Sequence, residues 1–94
     1  MPDTSAVSHD RATRRFEVRT SAGVGTLTYV ERGSELDIMH TEVPAAAEGQ
    51  GYAAALATAA LDFARSEGKS VIPSCPYVAA YIARHPGYGD LVSR

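Results

Sequence analysis

The hydrophobic period of the chain changes at Gly51, and this change narrows the available folds more than any other feature. Upstream, apolar and polar residues alternate. Phe16 and Val18 do so in RRFEVRT, Leu27 and Tyr29 in TLTYVERG, and Leu36 and Ile38 in SELDIMHTEV. Alternation of this kind marks half-buried strands, and the turn residues of SAGVG and Gly33-Ser34 join them into an antiparallel meander. Downstream, Tyr52, Leu56, Ala60, Phe63 and Ala64 fall on one stripe of an amphipathic helix.

Gly68 stands where a helix C-cap belongs. SVIP then reads as a short buried strand and YVAAYIARH as a second, shorter helix. Strand, helix and strand over residues 35–73 make a crossover unit, which joins parallel strands. The expected fold is therefore α/β, with a mixed sheet: an antiparallel N-terminal meander, a β-α-β crossover and a short C-terminal helix. Residues 1–12 are polar and unpatterned and are expected to form a loose tail, leaving 13–94 as the single domain. Ligands of such sheets bind beyond the carboxyl ends of the parallel strands. Here those ends are Glu42-Val43-Pro44 and Ile72-Pro73-Ser74-Cys75.

Composition limits the function classes. A net charge of −2 argues against a dedicated nucleic-acid binder but leaves room for a small anionic ligand. One cysteine, Cys75, allows no internal disulfide and suits a reducing compartment. The chain has neither an apolar run of membrane-spanning length nor a signal-peptide core, so cytoplasmic placement without a membrane partner is the default expectation.

Gly49 and Gly51 let the loop take positive φ angles and let a ligand approach the main chain. The helix behind them presents unpaired N–H groups and the positive end of its dipole. Together they suit a pyrophosphate. A P-loop is excluded because Gly-Lys-Ser/Thr is missing. The dinucleotide pattern is matched formally by Gly49, Gly51 and Ala54, but no acidic residue ends the next strand to hold a ribose.

Taken together, HTEVP, EGQGYAAAL, VIPSCPYV and YIARHPGY resemble the short, single-domain branch of the GNAT superfamily of N-acetyltransferases, over about residues 9–92. The resemblance implies acetyl-coenzyme A in a wedge between two splayed parallel strands, with its pyrophosphate on an Arg/Gln-x-x-Gly-x-Gly/Ala loop. That loop maps to Ala46 through Gly51, where Ala46 departs from the Arg/Gln position. Main-chain contacts are implied for Gly49, Gln50, Gly51, Tyr52 and Ala53. Glu48 is unfavourable beside a pyrophosphate unless it points to solvent. Further cofactor contacts are expected at Val43, Cys75, Tyr77, Arg84 and His85, although the last two would equally complement the helix dipole. The resemblance implies later strands that commonly wall the acceptor site, which this sequence is not expected to supply. That site is therefore expected to be either open or closed by a second subunit as a homodimer.

Acetyl transfer to an amine needs positioning, a carbonyl-polarising donor and proton management. Simple alternation puts Leu36, Ile38, His40 and Glu42 on one strand face and Met39, Thr41 and Val43 on the other. His40 or Glu42 is then the expected proton acceptor. Cys75 either carries the acetyl group or packs near the thioester, with direct attack in a ternary complex preferred. The resemblance implies a tyrosine acid for the coenzyme thiolate, for which Tyr81 is the better positional match. A zinc site from His40, Cys75 and His85 lacks paired ligand spacing, so no metal is expected. The reading is an acetyl-coenzyme A-dependent N-acetyltransferase with an unidentified amine acceptor. The alternative is a non-catalytic acyl-coenzyme A-binding module or a protein-interaction domain on the same scaffold.

Overall fold

The computed structural model of the chain describes residues 4–93. Five strands form one sheet in sequence order. They are β1 (Val7–Asp10), β2 (Arg15–Thr20), β3 (Gly23–Arg32), β4 (Glu35–Glu42) and β5 (Ser70–Pro73). The first four are antiparallel, and β5 joins β4 in parallel through the helix α1 (Tyr52–Ser66). A second helix, α2 (Pro76–Arg84), and a 3-10 turn (Pro86–Leu91) follow β5. The mixed α/β architecture is the one the change of period implies.

The strand β1 corrects the loose tail expected over residues 1–12. Residues 1–3 lie outside the described residues, but Val7–Asp10 pairs with β2 over Val7↔Val18 to Asp10↔Arg15. Only Val7 is aliphatic in this stretch, which is why it reads as unpatterned. His9 supplies the missing apolar contact by stacking its ring on Phe16 at 3.9 Å.

Both helices lie on one face of the sheet. Leu27, Leu36 and Ile38 of the sheet form one buried cluster with Leu56 and Leu61 of α1 and Val78 of α2. Each fully buried leucine stabilises the fold by about 1.5–3 kcal/mol relative to exposure. Ala57, Ala60 and Ala64 are also fully buried on α1, so the helix backbone lies close to the strands. Gly68 (φ +67°) ends α1 as expected. Its N–H donates to the Arg65 carbonyl, and the Lys69 N–H donates to that of Ala64. Two carbonyls that the helix leaves open are thereby satisfied.

A β-bulge in β4 has the largest consequence for the site. Tyr29 pairs with Ile38 but Thr28 pairs with His40, so Met39 has no partner across β3. Directly opposed residues point to the same face. His40 therefore shares the open face with Thr28, and Thr41 shares the helix-covered face with the buried Leu27. The expected grouping of Leu36, Ile38, His40 and Glu42 on one face holds only up to Ile38. Beyond the extra residue the alternation is inverted.

Candidate functional site

The strands β4 and β5 are paired only from Glu35↔Ser70 to Ile38↔Pro73. One more bond, from the Cys75 N–H to the Ile38 carbonyl at 2.9 Å, closes the ladder, after which the chains part. β4 runs on to Glu42 and a 3-10 turn at Ala45–Ala47, while β5 turns into α2. A cavity of about 460 Å³ opens on the helix-covered face between these two paths.

Three groups line it. Thr41 comes from the part of β4 beyond its pairing with β5 and Val43 from just after that strand, Glu48, Gly49 and Gly51 from the loop, and Tyr52, Ala53 and Ala54 from the first turn of α1. Ala47 and Tyr77 complete the wall. Gly49 and Gly51 have φ of +82° and +88°, a region that disfavours any side chain. A Cβ at either would meet nothing within 4 Å, so neither glycine is there for lack of space. The left-handed main chain demands them, and it exposes the helix start. No side chain caps α1 and no acidic residue occupies its first turn. The first helical bond is donated by Ala55 to Gly51. Among the described residues, the N–H groups of Tyr52, Ala53 and Ala54 donate to no protein acceptor, and they stand at the cavity wall. Uncapped amides of this kind favour an anion.

The expected residues separate into those brought together and those not. Val43, Glu48, Gly49, Gly51, Tyr52, Ala53 and Tyr77 line the cavity, whereas Gln50 is exposed in the same loop without lining it. Cys75 is buried just behind the wall, its thiol donating to Thr41 Oγ1 at 3.5 Å. His40 and Glu42 are exposed and off the cavity, because of the bulge. Among the described residues nothing hydrogen-bonds either side chain.

Tyr81 is not at the cavity either. Its hydroxyl exchanges a 2.7 Å hydrogen bond with Thr58 Oγ1 inside the core, and its ring stacks on His85 at 4.0 Å. The His85 Nδ1 is 2.8 Å from the Tyr81 carbonyl, which ties that imidazole to the end of α2. Arg84 and His85 are both exposed at that end and line no part of the cavity. The tyrosine at the cavity is Tyr77, one turn earlier. Burial, and next the neighbouring Tyr81, push its hydroxyl above the ordinary phenol value, so it keeps its proton at neutral pH. The sequence reading missed Thr41, Ala47 and Ala54. The first is hidden by the bulge, and alanines carry no chemical signal.

Among the described residues no group of three or more His, Cys, Asp and Glu could hold a metal ion. No described helix is long and apolar enough to cross a membrane.

A mixed sheet with both helices on one face, parted parallel strands and an uncapped helix start beside the gap defines an α/β domain of the GNAT fold. The comparisons agree. The family model described as GCN5-related N-acetyl-transferase matches residues 15–91, and the chain belongs to that family. It is 40% identical over 83 residues to the Protein NATD1 of Mus musculus and to that of Gallus gallus, covering 85% of this chain and 76% of each relative. The NMR solution structure of a GCN5-like protein from Staphylococcus aureus has the same fold, with a TM-score of 0.74 at 23% identity, covering 95% of this chain and 90% of that one.

Proposed function

We propose that the chain is an acetyl-coenzyme A-dependent N-acetyltransferase that transfers acetyl directly to an amine. One observation carries this reading: unpaired main-chain amides at the start of α1 open onto a cavity that leads to the parted strands. The amides of Tyr52, Ala53 and Ala54 hold the diphosphate, while Gly49 and Gly51 keep the main chain bare in front of it. Val43, Tyr52 and Ala54 offer apolar surface to a pantetheine arm. The bound group supplies the activated acetyl thioester, and the protein's own residues do the rest. The parted ends of β4 and β5 orient the thioester, and Tyr77 donates its proton to the departing sulfur. Cys75 packs beside Thr41 at this point, and direct attack does not call on its thiol.

With both helices on the cavity side, the amine reaches the gap from the opposite face of the sheet, which no described element covers. His40 and Glu42, the acceptors read from the sequence, stand on that face.

The variant Ala53→Asp tests the site. A carboxylate in the first turn stabilises a helix by about 0.3–1 kcal/mol, so the fold stays intact while the anion position carries a negative charge. Calorimetry should show acetyl-coenzyme A affinity falling by about two orders of magnitude, or roughly 2.7 kcal/mol. Unchanged affinity in the folded variant rejects the site. A second reading, a non-catalytic acyl-coenzyme A-binding module, is favoured by Glu48 beside the anion position. Thiol release above background with a panel of amines separates the two, since only an enzyme produces it.

A further inference from the structure

Residues 74 and 75 straddle the parting of the strands. Cys75 turns toward the helices and reaches Thr41, whereas Ser74 is exposed and reaches Asp37. Asp37 belongs to the open face, opposite the exposed Val30, yet it is only 6% exposed. Both of its oxygens are engaged. Oδ2 accepts from Arg32 Nε at 3.2 Å and Oδ1 accepts from the Ser74 hydroxyl at 2.6 Å. A buried carboxylate is costly unless paired, and Arg32 supplies the pairing. The Ser74 hydroxyl links this carboxylate to solvent where the acceptor would approach. Its hydrogen is committed to Asp37, which leaves its lone pairs free to accept from an incoming N–H. His40 and Glu42 have no such fixed geometry, since among the described residues nothing hydrogen-bonds them.

We infer that Ser74, backed by Asp37 and Arg32, is the proton relay for the amine acceptor, an inference that rests on the acetyl-transfer reading above. An alkyl amine has a pKa of about 10 and loses its first proton to water. The neutral nitrogen then attacks the carbonyl carbon with its lone pair. As the N–C bond forms, one N–H proton passes to Ser74 Oγ while the Ser74 proton passes to Asp37 Oδ1. The C–S electron pair leaves on sulfur, which takes the Tyr77 proton. Asp37 returns its proton to water and Tyr77 regains one from water, so the sum is amine plus thioester giving amide plus thiol. Ser74 touches the substrate, and Asp37 acts through it.

The test uses the full chain with acetyl-coenzyme A and a primary amine that the unaltered protein acetylates. General-base catalysis contributes about 10²–10⁴-fold, so Ser74→Ala should lower kcat by about a hundredfold. The Kd for acetyl-coenzyme A and the KM for the amine should each change by less than about threefold, and Ser74→Thr, which keeps the hydroxyl, should restore most of the rate. Asp37→Asn, whose amide still accepts from Ser74 but takes no proton, should lose kcat as Ser74→Ala does. An unchanged kcat in Ser74→Ala overturns the relay, as does a loss that Ser74→Thr shares. A loss matched by equal changes in KM or Kd also overturns it, by reducing the group to a strap that shapes the turn. Absence of amine turnover by the unaltered chain defeats the acetyl-transfer reading and the relay together. Turnover by Ser74→Ala at the rate of the unaltered protein defeats the relay alone.

Discussion

The two ends of α1 face the same sheet with opposite materials. At its C-terminal end Phe63 meets Phe16, Tyr29 and His9 in a cluster of rings whose centroids lie 3.9–6.0 Å apart. His9 Nε2 is 2.6 Å from the Tyr29 hydroxyl, and Arg11 lies over Phe63 at 5.0 Å while pairing with Glu67. At its N-terminal end the helix offers Ala53 and Ala54, preceded by Gly49 and Gly51, to a cavity. Rings hold the strands together at one end, and small residues leave a gap at the other. Stability should therefore reside mostly at the ring end and ligand binding at the glycine end.

The contrast breaks if damage at one end reads out at the other. The largest effect is expected from Phe16→Ala. Phe16 is 3% exposed, and truncating a buried phenylalanine costs about 3–5 kcal/mol. Denaturant unfolding should show that loss, while the protein that stays folded keeps its affinity for acetyl-coenzyme A. A loss below about 1 kcal/mol would deny the ring cluster its role.

The next effect is in pH. Burial, and next the Arg11 charge, hold the His9 imidazole below its ordinary value, against the opposing pull of Asp10, Glu31 and Glu67. The fold thus prefers the neutral ring. Its contribution is whole above the unfolded value of about 6.5 and is lost as pH falls below that value toward the lowered one. Unfolding midpoints measured between about pH 5.5 and 7.5 (about one unit either side of that value) should decline toward acid, and His9→Gln should flatten the decline. An equal slope in the variant would assign the acid sensitivity elsewhere.

The smallest effect belongs to the glycine end. Removing the Glu48 charge with Glu48→Gln should tighten acetyl-coenzyme A binding about threefold, the value of a single like-charge contact in water at about 6 Å (roughly 0.7 kcal/mol). No change on calorimetry would place that carboxylate away from the diphosphate.

Period and turn chemistry carried the architecture because burial enforces them: strands β2 to β5, both helices and the Gly68 cap follow from spacing alone. β1 escaped because an imidazole does the work of an aliphatic residue, which no hydrophobic pattern records. The loop was legible for a related reason, since Gly49 and Gly51 have no other purpose than main-chain geometry. The side chains around the gap were less legible. Alternation placed Leu36 and Ile38 correctly and then failed at Met39, since nothing in MHTEV marks where one strand carries an extra residue. Tyr77 and Tyr81 share a helix face by spacing, which does not reveal that Tyr77 lines the cavity while Tyr81 is held by the Thr58 hydroxyl in the core. The pairing of Ser74 with Asp37 joins residues 37 positions apart and has no local signature.

The bulge at Met39 also bears on how such a domain could acquire new chemistry. Because side chains of a strand repeat every second residue, one supernumerary position acts as a parity switch for everything that follows it. Losing it would bring the imidazole and carboxylate of HTE round to the cavity and send the threonine out to solvent, with hardly a change in composition. A single insertion or deletion there could therefore refit the chamber more thoroughly than several point substitutions.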